Sequence, residues 1–266
     1  MRKTLALIRA SWLTSLSYRL ETFFSFLSLL AGMVPLYLIS KALQPMMSNV
    51  IASEAPEYFG FVLIGLLSFT FVQASVSSLH GALGGEISSG SLEALLATPT
   101  PLIWLLLGMV GQSFSMTIIR TVYCMIFATA FGTHFIWSGL PTALLALLMI
   151  ILVYLPFGII AAALVLAFRT TGPFPAAVTT FSGLLGGVYY PSHVVPSWLE
   201  GVSALVPLTY GLRAVRRSIL DGAPFSASAS DLLLLLTAAA VMLTISLSVF
   251  VAALRYAKRM GTLAQY

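Results

Sequence analysis

Charge is what this 266-residue chain has least of: 8% of its residues are Asp, Glu, Lys or Arg, against about 25% in soluble domains. With 59% of the residues hydrophobic and a mean hydropathy of +1.01, a water-soluble enzyme is excluded. So is a disordered chain, which needs high charge and low hydrophobicity. Cysteine is nearly absent. Cys124 stands alone inside an apolar run, so no intrachain disulfide can form and a small packing residue is expected. His134 and His193 have no companions at metal-ligand spacing, and His80 reads as a cap or interface residue, so no metal site is expected. No G-x-x-x-x-G-K-[ST] occurs, so no phosphate-binding loop for ATP is expected in this chain. Arg2 and Lys3 are followed by Arg9 and by no Ala-x-Ala-like site, so no cleaved leader is expected. An all-α polytopic membrane protein remains.

What the chain has is long uncharged runs: 22–40, 58–85, 94–119, 121–168, 170–199 and 232–254. A helical crossing needs about 20 apolar residues. The 121–168 run is too long for one crossing and breaks between Gly132 and Pro141, where turn residues surround Trp137. Six transmembrane helices are expected, at 20–42, 57–80, 102–131, 140–168, 173–190 and 231–255. No alternating ten-residue pattern of a membrane barrel appears. Pro35 and Pro156 predict kinks.

The net charge of +5 would suggest nucleic acid in a soluble protein. Here Lys and Arg are topology signals, and no nucleic-acid partner is expected. With the N-terminus inside, eight basic residues fall inside and four outside (Lys41, Arg213, Arg216 and Arg217), which favours cytoplasmic termini. The outer cluster at 213–217 breaks that rule locally. Residues 1–19 read as an interfacial helix on the inner leaflet lipids, with Leu5, Ile8, Trp12 and Leu16 on one side. A plain extension of the first crossing is the other reading. Segment 191–230, cut by Pro191, Pro196, Pro207 and Pro224, is too broken to span and too apolar over 202–212 for a free loop. Two short helices dipping into the outer half of the membrane fit both facts. Arg213, Arg216 and Arg217 are then expected near the outer interface, facing phosphates or acidic partners.

The inner loop from Gly81 to Pro101 carries Glu86, where a short helix is expected to open, and Leu92, Leu95 and Leu96 on one apolar face. It reads either as a connector or as a knob for a cleft in another protein. Glu86-x3-Gly90-Ser91-Leu92-Glu93-x-Leu95-x2-Thr98-Pro99 resembles the coupling-helix loop of ABC-2 family transporter permeases. A second stretch is similar to that family's outer signature: Gly186, Gly187 and Pro191, then Pro196, Trp198 and Leu199, then Pro207, Tyr210, Arg216 and Arg217. The resemblance covers nearly the whole chain. It implies one ABC-2 type transmembrane domain over 1–266, with 86–97 as the coupling helix and 191–230 as outer re-entrant helices. It further implies a half-transporter in a bacterial plasma or inner membrane, paired with itself or a related permease. A separate ABC ATPase subunit, which would hold ATP and Mg, would dock on Glu86, Gly90, Leu92, Glu93, Leu95, Leu96 and Pro99. The family's cargoes are drugs, lipids, polysaccharides and other lipid-linked glycans, mostly exported.

Arg120 reads either as a residue of the translocation path or dimer interface, meeting an anionic substrate, or as half of a structural pair. With Ser182, Gly183, Gly186 and Gly187 make a small-residue face suited to close helix approach, or merely loosen the fifth helix. An intramembrane enzyme is disfavoured: Gly111-Gln-Ser113-Phe lacks a following Gly, no H-E-x-x-H occurs, and Asp221 and Asp231 lie at the membrane edge. A secondary transporter or channel independent of ATP is the alternative. It needs ionisable groups near the midplane, where Arg120 is the one candidate, and no internal repeat supports it.

Overall fold

The computed structural model describes residues 19–88, 102–168, 170–191, 194 and 196–259. These are helical almost throughout: α1 Arg19–Ile51, α2 Tyr58–Ser88, α3 Leu102–Ala130, α4 Leu140–Phe168, α5 Phe174–Leu185, α6 Ser197–Ser203, α7 Pro207–Ile219 and α8 Phe225–Arg259. No strand occurs among the described residues. Among the described residues five helices are long and apolar enough to cross a membrane, and they belong to α1, α2, α3, α4 and α8. The molecule is a polytopic all-α membrane protein, as its composition requires. In lipid a helix satisfies every backbone group within its own segment.

The boundaries depart from the sequence reading in instructive ways. The first helix runs to Ile51 instead of stopping near residue 42, because Lys41 lies along the helix surface and donates to the Tyr37 hydroxyl one turn back (2.9 Å). The second helix passes through Gly81, Gly84 and Gly85 to Ser88, so the Glu86 backbone sits in the last turn of α2 and opens no new helix. The fifth helix spans 12 residues, about 18 Å, where 173–190 was expected. It stops because Gly186 caps it and Gly187 takes φ +79°, which turns the chain out of the helix.

α4 is the central post. It packs against α2, α7 and α8, and half of its buried residues are small: Ala143, Ala146, Gly158, Ala161, Ala162 and Ala163. A side chain at Gly158 would collide with the Ser75 carbonyl of α2. The two backbones therefore touch, as small residues permit where lipid supplies no hydrophobic drive. Opposite this face, α7 runs antiparallel to α4. Gly211 fits against Ile150, and Gly139 lies on the Ser218 carbonyl. Leu208, Gly211, Leu212, Val215 and Ile219 are buried at helical spacing. Ile150 is ten residues into α4, about 15 Å. α7 thus starts deep in the bundle and climbs to its upper end, the end that carries residues 52–57 and 131–139. There the Ile219 carbonyl accepts the Ile136 amide (2.8 Å). α6, the 204–206 turn and α7 form the re-entrant hairpin expected from the prolines of 191–230, while 225–230 belong to α8.

Gly158→Leu is expected to destabilise the protein by about 1–3 kcal/mol, the usual cost of overpacking. At Gly32 no heavy atom beyond its own stretch of helix backbone lies within 4 Å of the place a β-carbon would take, so Gly32→Leu is expected to avoid that overpacking cost. Thermal unfolding in detergent compares the two.

Candidate functional site

The hairpin is fastened to the bundle by one side chain. Arg216, on the last turn of α7, is 1% exposed. Its Nε donates to the Phe61 carbonyl (3.1 Å), Nη1 to Glu54 Oε2 (3.2 Å), and Nη2 to the carbonyls of Gly187 (2.9 Å) and Val188 (3.0 Å). The guanidinium carbon lies 3.4 Å from the centre of the Phe61 ring. Four chain segments therefore meet at one cation: α7, the 52–57 loop, α2 and the stretch of backbone leaving α5. At neutral pH the group stays charged, and its donor fork points at fixed acceptors.

The neighbouring arginines are also engaged within the chain. Arg213 pairs with Asp231 (3.5 Å) and lies over the Tyr210 ring (5.5 Å). Arg217 Nε donates to the Ser53 carbonyl (3.3 Å). The acidic partners expected for this cluster are thus Glu54 and Asp231 of the same polypeptide, and Arg216 is interior where an interfacial position was expected. The remaining motif residues shape the hairpin. Pro196 precedes α6 and Pro207 opens α7, a position where proline's missing N–H costs nothing. The Tyr210 hydroxyl donates to the Ala204 carbonyl (2.9 Å) and Thr209 to the Ser203 carbonyl (3.0 Å), which closes the 204–206 turn. Trp198 is exposed and Pro191 is buried. Above α5, Tyr58 donates to the Tyr189 carbonyl (2.9 Å), and Tyr190 to the Leu184 carbonyl (2.6 Å).

The other candidates are spread apart. Gly183 packs on the Phe69 ring of α2 and Gly186 on Leu208 of α7, both inside this chain. Arg120 lies on an exposed face of α3, where Nη2 donates to Ser25 Oγ of α1 (3.1 Å). No carboxylate forms an ion pair with it among the described residues. Gly90, Leu92, Glu93, Leu95, Leu96 and Pro99 lie outside the described residues, as does the 1–18 stretch of the interfacial helix. A cavity of about 450 Å³ opens between α2, α3 and α4, with Phe71, Ile118, Val122, Leu144 and Leu147 among its walls. Its lining is almost wholly apolar, so it suits an apolar group. Sequence reasoning missed Glu54 as the counter-ion of Arg216. The available signal was that acids and bases both gather in the segments assigned to one side of the membrane.

Removing one member of a buried pair strands the other, at a cost of about 3–5 kcal/mol. Arg216→Met is therefore expected to lower thermal stability strongly and Glu54→Gln less so. Arg216→Lys is expected to fail as a rescue, since one ammonium cannot reach four acceptors spread over three segments. Melting curves of the three variants and of the double variant Glu54→Gln/Arg216→Met, with its coupling energy, check this.

A family description of ABC-2 type transporters matches residues 3–220. Similar proteins include the inner membrane transport permease YadH of Escherichia coli strain K12 and those of the same name in Escherichia coli O157:H7 and Shigella flexneri. Each is 24% identical over 166 residues, covering 61% of this chain and 63% of the relative. The matched region is thus less than two thirds of those relatives' length. With a family match over most of its residues, on an all-helical membrane fold, the chain belongs to the ABC-2 type transporter family.

Proposed function

We propose that this chain is the transmembrane permease subunit of an ATP-driven exporter in a bacterial plasma or inner membrane, with both termini cytoplasmic. Two permease chains, identical or related, form the path. A separate ABC ATPase, holding ATP and Mg, docks on residues 86–97 of each. The cargo is a drug, a lipid or a glycan, free or lipid-linked, and the apolar cavity beside α3 and α4 supports a cargo with an apolar part. The observation that carries the reading is the continuity of α2. One unbroken helix holds Phe61, an acceptor of Arg216, near one end and the Glu86 backbone near the other. Those positions are 25 residues apart, about 38 Å of helix. A displacement applied around residues 86–97 is carried along a rigid rod to the base of the re-entrant hairpin. Coupling between distant sites needs such a packed, two-position element. Closure of the ATPase pair would then favour one packing of the hairpin over the other, a population shift driven by differential contacts.

Affinity purification in mild detergent is expected to bring down a soluble Walker-motif subunit in equal ratio with the permease. Glu93→Arg is expected to abolish that association while leaving the permease folded in the membrane. Full ATPase binding and transport by Glu93→Arg would overturn the docking assignment. Cargo movement by the isolated permease in sealed vesicles would overturn the whole reading.

A further inference from the structure

A second pocket, of about 320 Å³, lies at the upper end between α1, the start of α2 and the end of α3. Its floor is one aromatic cluster: Tyr37 lies 5.3 Å from Phe59 and 5.0 Å from Phe131, centre to centre, and the two phenylalanines are 5.9 Å apart. Lys41, Glu57 and Ser40 complete the wall. The two charges share this space without joining. Lys41 Nζ donates to the Tyr37 hydroxyl, and no ion pair links it to Glu57 among the described residues. Ser40 is 1% exposed, and its hydroxyl has no hydrogen-bond partner among the described residues. Gln44, by contrast, is committed: it accepts the Tyr58 amide (2.6 Å) and donates to the Pro56 carbonyl (3.4 Å). The pocket thus offers a cation over the Tyr37 ring and an anion beside it, with an unpartnered hydroxyl buried behind them.

α1 adds a second, independent observation. Leu27, Val34 and Leu38 are exposed, and with Lys41 they recur at intervals of seven, four and three residues, which places them on one face of the helix. A polar pocket therefore stands at the top of an exposed apolar stripe on a membrane-crossing helix. That is the layout of a phospholipid, head above tail.

We propose that this pocket binds the headgroup of a zwitterionic phospholipid. The phosphate meets Lys41, the ammonium meets Glu57 and the aromatic faces, and an acyl chain follows Leu38, Val34 and Leu27. The chemistry is complementary at each point. A carboxylate only accepts hydrogen bonds and an ammonium only donates them. Ring faces attract a cation. An anionic lipid without an amine satisfies Lys41 but leaves Glu57 facing it unpaired, so Glu57 is the discriminating residue. This site is separate from the hairpin and from ATPase docking, and stands whether or not the chain exports anything.

The test uses the full-length protein exchanged into an equimolar mixture of phosphatidylethanolamine and phosphatidylglycerol, with retained lipid counted by native mass spectrometry. The protein is expected to retain phosphatidylethanolamine about two- to fivefold over phosphatidylglycerol, the scale of one exposed charge pair. Glu57→Gln is expected to erase the preference without loss of phosphatidylglycerol, and Lys41→Ala to lower retention of both lipids. Melting temperatures of both variants are expected to stay at the wild-type value, which separates lost binding from lost folding. Equal retention of the two lipids by the wild type, or an unchanged preference in Glu57→Gln, would overturn the proposal. Displacement of the lipid by soluble phosphoethanolamine at comparable concentration would overturn the lipid assignment in favour of a free solute.

Discussion

A buried guanidinium must find acceptors for its donors, and that demand organises the upper half of this protein. Arg216 meets it with one carboxylate and three backbone carbonyls drawn from segments far apart in sequence. The dependence runs in both directions. α5 ends after 12 residues, and the chain beyond it is irregular. Irregular backbone at membrane depth persists only where its polar groups are covered. The carbonyls of Gly187 and Val188 are covered by Arg216, those of Leu184 and Tyr189 by tyrosine hydroxyls. A short helix that would be costly in isolation is made tolerable by a cation that would itself be costly in isolation. Ion pairs of this kind add little net stability compared with an apolar replacement. Their effect here is to define where four segments sit.

Around that junction the packing is dictated by small residues. α4 meets α2 through Gly158 and meets α7 where Gly211 of α7 receives Ile150, so the hairpin lies close against the central post. Close approach and a charged staple act on the same object. One fixes the distance of α7 from α4 and the other fixes its height relative to α2. Because Phe61 and Gly65 both belong to α2, the hairpin is referenced to a helix that runs on unbroken toward the opposite end of the bundle.

Much of this was readable in the residues alone, for physical reasons. Long uncharged runs mark spanning helices because charge is expelled from hydrocarbon, and that signal is local. Pro191, Pro196 and Pro207 mark the hairpin because proline punctuates the chain wherever it stands. Helix ends were harder. Lys41 does not end α1, since a lysine can lie along its own helix, and three glycines near residue 84 do not end α2. Hydropathy measures the solvent a residue tolerates, which is a different quantity from where hydrogen bonding stops. The partner of Arg216 was out of reach for another reason. Glu54 lies 162 residues away, and nothing in a single sequence states which acid a given base will meet. The family resemblance, carried by Glu86 to Pro99 and by Gly186 to Arg217, agrees with the ABC-2 match, although the first of those stretches falls mostly outside the described residues.

Gly65 faces the Val188 carbonyl and Arg216 Nη2 so closely that a single methyl group would occupy the space where they meet. A side chain at position 65 could be housed only if the Val188 carbonyl or the guanidinium gave way. The absence of one carbon atom is what lets the cation reach the backbone behind it.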